Sequence, residues 1–289
     1  MAFNSLGVQK MNKPQKIRSK DVGLEIGLVI EKHLFNTEHL HYGYWPDNLP
    51  VTLTNLPQAQ QKYCDFLLSH IPPGVKSILD VGCGAGKFTW QLKNTGFQVD
   101  TVSPSMVFSE IVQTRLGPQS EVFQCKFEDV NTDKKYDLIL FSESFQYVNM
   151  EKGFMQCKKL LNNPGFILIC DFFKTGALGE CVMGGGHKWE VFQKILKEQP
   201  FHNIKDLDIT AQTAPTLDMV DHVLKNVGKP VWELVIRYLE NKHRIVAKFL
   251  KWKFKKKIVR INRKYFSGGL NAKNFSIFKS YRLMLYKTA

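Results

Sequence analysis

Three features of the sequence predict a doubly wound α/β domain. The apolar run Ile78-Leu79-Asp80-Val81 meets three alternating glycines, Gly82, Gly84 and Gly86. Further apolar runs of strand length then alternate with helix-length segments. The chain has 289 residues, 44% of them apolar, which is enough to bury one large core.

Each part of the glycine element has a physical purpose. Ile78, Leu79 and Val81 suit a parallel strand buried on both faces. The glycines supply a tight turn, close approach of backbone to a ligand, and close packing of the following helix on the sheet. That helix should start near residue 86, run through Phe88, Trp90 and Leu92, and be capped at Gly96. No Gly-Lys-Ser/Thr follows, which disfavours a nucleoside-triphosphate loop. The Gly-x-Gly-x-Gly spacing also differs from the Gly-x-Gly-x-x-Gly of nicotinamide and flavin sites.

Ahead of this element, residues 1–19 are polar and basic and read as a loose arm. Over 20–34, Val22, Ile26, Ile30 and Leu34 recur four apart, predicting an amphipathic helix over one end of the sheet. Residues 38–46 form an aromatic loop around Gly43, closed by Pro46. A helix over 56–71 places Tyr63, Phe66, Leu67 and Ile71 on one face, and Pro72-Pro73-Gly74 ends it.

Beyond the glycines, strands are expected at 97–102, 120–125, 136–141, 166–172 and 201–210, and a closing strand at 275–287. Helices are expected at 150–161 and 188–198, with a turn at 162–165. Residues 174–187, ending in Gly184-Gly185-Gly186-His187, read as a flexible lid. Residues 216–250 are mostly helical, with a break at 228–230.

Charge is localised. Residues 241–289 hold 15 Lys or Arg and no acid, so the remainder of the chain is close to neutral. Between Lys248 and Lys264 there are nine cations, while Leu250, Phe254, Ile258, Ile261 and Tyr265 recur at helical spacing. Over 248–265 this predicts a helix that either lies on an anionic membrane, docks an acidic carrier protein, or packs its stripe on the domain. The six cysteines are widely spaced, with no Cys-x-x-Cys, so reduced thiols and no metal site are expected. The absence of a long apolar run and of a signal region points to a cytoplasmic protein, peripheral at a membrane if the basic helix binds one.

With Asp80 two residues ahead of Gly82, the stretch 79–86 resembles the first motif of class I S-adenosylmethionine-dependent methyltransferases. His41-Tyr42-Gly43-Tyr44-Trp45 resembles a segment found in their tocopherol, cyclopropane-fatty-acid and sterol groups, where it lies beside the reacting methyl. The resemblance implies a seven-stranded Rossmann-like sheet with an antiparallel last strand, in a single domain over 20–289. N-terminal and inserted helices, including a cap and the basic helix within 174–265, would cover the active site.

It also implies S-adenosylmethionine as cofactor and S-adenosylhomocysteine as product. Asp80, Gly82, Cys83 and Gly84 would meet the cofactor's amino-acid end, Ser103 its ribose, and Phe127 and Glu128 its adenine, with a backbone carbonyl of Phe141 or Ser142 for its ammonium. His41, Tyr42, Tyr44, Glu143 and Tyr147 would shape the side of a small-molecule or lipid-like acceptor. Two positions depart from the pattern: Ser103 stands where an acid is usual, and Tyr147 where those groups carry histidine. A nucleic-acid methyltransferase is disfavoured by the lack of an Asn-Pro-Pro-Tyr or Asp-Pro-Pro-Tyr motif. A non-catalytic binding protein is disfavoured by the intact glycine loop.

Overall fold

The computed structural model describes residues 19–289, so the expected basic arm, apart from Ser19, lies outside the described residues. In chain order the elements are α1 (Ser19–Leu34), α2 (Leu56–Leu68), β1 (Ser77–Val81), α3 (Lys87–Asn94), β2 (Gln98–Val102), α4 (Met106–Leu116), β3 (Val122–Phe123), β4 (Tyr136–Ser142), α5 (Met150–Leu160) and β5 (Leu161–Lys174). They are followed by α6 (Trp189–Lys197), β6 (Phe201–Asp208), α7 (Thr210–Thr213), α8 (Pro215–Val223), α9 (Lys229–Lys242), α10 (Arg244–Tyr265), α11 (Ala272–Phe278) and β7 (Lys279–Thr288).

The seven strands form one sheet in the order β3-β2-β1-β4-β5-β7-β6. β1 pairs in parallel with β2 and β4, whereas β7 runs antiparallel between β5 and β6. The order reverses at β1, and that reversal opens a crevice at the carboxyl ends of β1 and β4. The central strands β1, β4 and β5 are largely apolar on both faces, as helices on both sides require, whereas the edge strand β6 is mostly exposed. One face packs Ile78, Leu138, Leu140 and Leu168 with Tyr63, Leu67 and Leu92. The other packs Leu79, Ile139, Phe141 and Ile169 with Phe154 and Phe192.

Several boundaries differ from expectation. β3 is only two residues long, and the turn at 162–165 is an excursion within β5: Tyr136 pairs with Leu161, and Leu138 next pairs with Phe166. The proline at 230 causes no break, because a π-turn lies just ahead of it and the backbone stays helical across Gly228 and Lys229. A π-turn, Leu224–Gly228, carries the helix through, and the break falls at His243 instead. Phe275 to Phe278 are helical, so the closing strand begins at Lys279.

α1 forms as expected, but Ile26, Val29 and Leu34 are exposed rather than packed on the sheet. α10 forms across the basic segment. Its stripe residues Leu250, Phe254, Ile258 and Ile261 are only half-buried, and Ala247 is its one buried residue. No described helix is long and apolar enough to cross a membrane.

Candidate active site

The site is built where β1 and β4 end. Gly82 (φ +79°), Gly84 (φ +54°) and Gly86 (φ +74°) all take the left-handed conformation that a side chain disfavours. At Gly82 a Cβ would collide with Cβ of Ser144, so this glycine lets the β1 turn close against the loop after β4. At Gly86 it would lie 2.9 Å from Val112, so this glycine seats α3 on α4. Gly84 differs: its Cβ position meets only the Leu40 side chain, at 3.6 Å, an ordinary contact, which makes it the least crowded glycine of the three.

Asp80 is buried beneath the turn and its Oδ2 accepts a 2.6 Å hydrogen bond from Thr89 Oγ1, tying β1 to α3. Burial pushes its carboxyl up to about 6, and the Thr89 bond works against that rise. Cys83 is half-buried in the turn. Ser144 Oγ is buried without a hydrogen-bond partner among the described residues. An orphaned hydroxyl beside a glycine turn is a place where a polar ligand fits, and the sequence reading passed over it.

Other cofactor candidates are engaged locally. Ser103 is buried, and its Oγ accepts from the N–H of Ser105 at 3.3 Å in the turn into α4. Glu128 Oε1 accepts from the N–H of Asn149, the cap residue of α5, at 2.7 Å. That carboxylate therefore ties a 3₁₀ turn, Phe127–Asp129, to a helix start. Phe127 packs edge-on against Phe141 at 5.2 Å inside the core, so any contact at these two positions falls to backbone groups. Ser142 ends β4, and its Oγ lies 3.2 Å from the Tyr63 hydroxyl.

The acceptor-side candidates divide. Glu143 is a non-glycine residue at φ +53°, and its Oε1 accepts from the Tyr42 N–H at 2.8 Å and from the Tyr281 hydroxyl at 2.7 Å. Burial pushes its carboxyl up to about 8; those two bonds pull it down, and the charge of Asp171 raises it further. The Tyr281 hydroxyl is also 3.0 Å from that of Tyr63, which extends the polar row to Ser142. Tyr42 packs its ring among Phe172, Phe275 and Tyr281, at centroid distances of 5.7–6.3 Å counting Phe172 against Phe275.

Tyr147 is exposed in the turn Phe145–Tyr147, within electrostatic reach of Asp171 and Glu143. Tyr44 instead stacks on Phe66 of α2 at 4.7 Å, which is a packing role. His41 packs its ring on Tyr63, at a centroid distance of 4.5 Å. Its Nδ1 is 2.8 Å from the Tyr42 carbonyl, and its Nε2 is 3.1 Å from His39 Nδ1 and 3.4 Å from Cys64 Sγ. Cysteine spacing along the chain argued against a metal-ligand set, but the fold brings these three side chains together.

The expected lid is pinned at its glycine end. Gly186 N–H donates to Gln146 Oε1 at 3.3 Å, and Lys279 Nζ donates to the carbonyls of Gly184 (3.3 Å) and Gly185 (2.6 Å). His187 Nε2 lies 3.1 and 3.0 Å from the carbonyls of Phe145 and Val148. Gln146 in turn donates its backbone N–H to buried Asp171 at 2.9 Å, and burial pushes that carboxyl up to about 7. Asp171, Gln146, Tyr63, Tyr281 and Lys279 escaped the sequence reading because each reads as an ordinary strand, turn or helix residue.

Residues 78–165 match the family described as "Methyltransferase domain". The chain is 29% identical over 154 residues to an uncharacterized methyltransferase of Alkaliphilus oremlandii, covering 52% of this chain and 66% of that protein. It is 31% identical over 130 residues to malonyl-[acyl-carrier protein] O-methyltransferase 1 of Ilyobacter polytropus, covering 42% and 48%. The match thus spans from just under half to just under two thirds of the length of these curated relatives. Among solved structures, the fold is similar to geranyl diphosphate C-methyltransferase from Streptomyces coelicolor, crystallised with Mg2+, geranyl-S-thiolodiphosphate and S-adenosyl-L-homocysteine. The TM-score is 0.66 at 14% identity, over 96% of this chain and 100% of that one. It is also similar to a cyclopropane synthase from Mycobacterium tuberculosis, with a TM-score of 0.63 at 16% identity, over 88% and 91%.

Proposed function

We propose that this chain, which carries a methyltransferase domain on the seven-stranded class I fold, transfers the methyl group of S-adenosylmethionine to a small, apolar or lipid-like acceptor. The observation that carries the reading is a juxtaposition. The least crowded glycine of the turn, Gly84, and the orphaned Ser144 hydroxyl lie at the ends of β1 and β4, and the residue before Ser144 is Glu143, whose carboxyl is held by Tyr281 beside the rings of Tyr42 and Phe172.

When bound, the cofactor supplies a methyl already made electrophilic by its sulfonium. What remains for the chain is to hold the partners in line and exclude water, which contributes several kcal/mol through proximity and orientation. Gly84 leaves room for the cofactor against the backbone, and Gly82 lets the turn close on the loop after β4. Ser144 Oγ and the backbone at Ser142 are the polar groups that would hold it, and Asp80 keeps the turn in place through Thr89. Tyr42, Phe172, Phe275 and Tyr281 form the apolar wall suited to the acceptor. Glu143, with a proton affinity near neutrality, is placed to take the proton that an acceptor loses; Tyr281 and the Tyr42 N–H hold it at that value.

The half-buried stripe of α10 and the exposed Trp252, Phe249 and Ile245 beside its cations favour a lipid surface as the acceptor's source. Calorimetry with S-adenosylhomocysteine tests the cofactor half of the reading. One site on the wild-type chain is expected, weakened by Gly84→Val; a folded wild-type chain without binding overturns the assignment.

A further inference from the structure

We propose that His39, His41 and Cys64 form a binding site for one zinc ion. Their ligand atoms all lie within 4.8 Å of one another, at the junction of the 37–45 segment and α2. Zinc bound by imidazole nitrogen at about 2.0–2.1 Å and by thiolate at about 2.3 Å sets tetrahedral edges of about 3.3 Å between nitrogens and about 3.6 Å between nitrogen and sulfur. The observed edges are 3.1 Å between His41 Nε2 and His39 Nδ1, 3.4 Å between Cys64 Sγ and His41 Nε2, and 3.8 Å between Cys64 Sγ and His39 Nδ1. The side chains already stand at the spacing that the ion would require.

The surroundings support the same assignment. His41 Nδ1 lies 2.8 Å from the carbonyl of Tyr42, so its N–H donates there and the Nε2 lone pair is left facing the other two ligands. Gln60 Nε2 donates to the carbonyls of His41 (2.9 Å) and His39 (3.4 Å), which holds the two histidines on α2. Hydrogen bonding alone uses the trio poorly, because His39 and Cys64 both approach the same His41 lone pair. Charges of both signs surround the cluster: Lys87 and Arg115 act on His39, with Arg115 paired to Glu38 at 2.5 Å, and Asp65 and Asp80 act on Cys64. On binding, the Cys64 thiol releases its proton to solvent, and the thiolate offsets one of the ion's two charges. With three protein ligands, a fourth position is left for water. Leu40, between the two histidines, is the side chain over Gly84, so the ion would fix that cover over the glycine turn.

The test is metal uptake by the purified full-length chain after chelator treatment, using zinc(II) in competition with a chromophoric chelator and cobalt(II) in parallel. One equivalent of zinc is expected, with a thiolate-to-cobalt charge-transfer absorption that excess zinc bleaches. Cys64→Ser should remove that absorption and weaken zinc binding by at least about tenfold, while Cys125→Ser and Cys181→Ser keep both. Two results overturn the proposal: no uptake by a wild-type chain whose circular dichroism is native, or cobalt bound without thiolate absorption. The second reads the wild-type chain alone and does not depend on whether the Cys64 variant folds.

Discussion

The hydroxyl of Tyr281 donates to Oε1 of Glu143 at 2.7 Å across 138 residues of chain, and the same oxygen accepts the Tyr42 N–H at 2.8 Å. The antiparallel insertion of β7 makes this possible, since it sets Tyr281 opposite Phe172 on β5. One carboxylate oxygen therefore joins the N-terminal aromatic segment, the loop after β4 and the last strand.

Removing the phenol in Tyr281→Phe takes away a bond that favours the charged form of Glu143. Its proton affinity should then rise beyond about 8, and the acid limb of the turnover profile should move to higher pH. The stability cost should be about 0.5–1.5 kcal/mol for one hydrogen bond. A pH profile that does not move would take Glu143 out of proton handling.

Stability should fall as pH rises from neutrality. Glu143 (4.5 to about 8), Asp171 (3.8 to about 7) and Glu31 (4.5 to about 7) hold their protons more tightly when folded, so the folded state gains stability at low pH and loses it as pH climbs through those values. His39 and His41 act in the opposite sense, but only below their unfolded value of 6.5. Urea midpoints should therefore decline between about pH 6.5 and about pH 8, and Glu143→Gln should flatten the upper part of that decline.

Two glycine variants should separate folding from binding. Gly82→Ala drives a methyl into Ser144 at φ +79° and should cost about 1–3 kcal/mol in chemical denaturation. Gly84→Ala meets only Leu40 and carries mainly the left-handed backbone penalty of about 1–2 kcal/mol. Its larger effect should be on S-adenosylhomocysteine affinity by calorimetry. Equal affinity in Gly84→Ala and wild type would move the cofactor away from this turn.

Lys255, Lys256 and Lys257 are exposed on α10. The chain should sediment with vesicles containing anionic lipid at low salt, and replacing the three lysines by Glu should release it, since each cation near such a surface contributes about 1 kcal/mol. Wild-type chain remaining in the supernatant would leave α10 as a helix packed on the domain or a docking surface for an acidic protein.

The sequence by itself determined the sheet through β5, the glycine turn, and the amphipathic and basic character of α10. These depend on neighbours in the chain: apolar runs of strand length, glycines that alone adopt left-handed backbone, and residues recurring at helical spacing. Even the partners of the aromatic segment were half legible, since Tyr42 and Glu143 were both singled out. Only the tertiary structure decided that Glu143 is held by Tyr281, that Tyr44 packs on Phe66, and that Glu128 holds the backbone N–H of Asn149, the cap residue of α5. It alone brought Cys64 to His39 and His41, 25 and 23 residues away. Burial and hydrogen-bond satisfaction act across space, and a side chain's chemistry is set by what the folded chain places beside it.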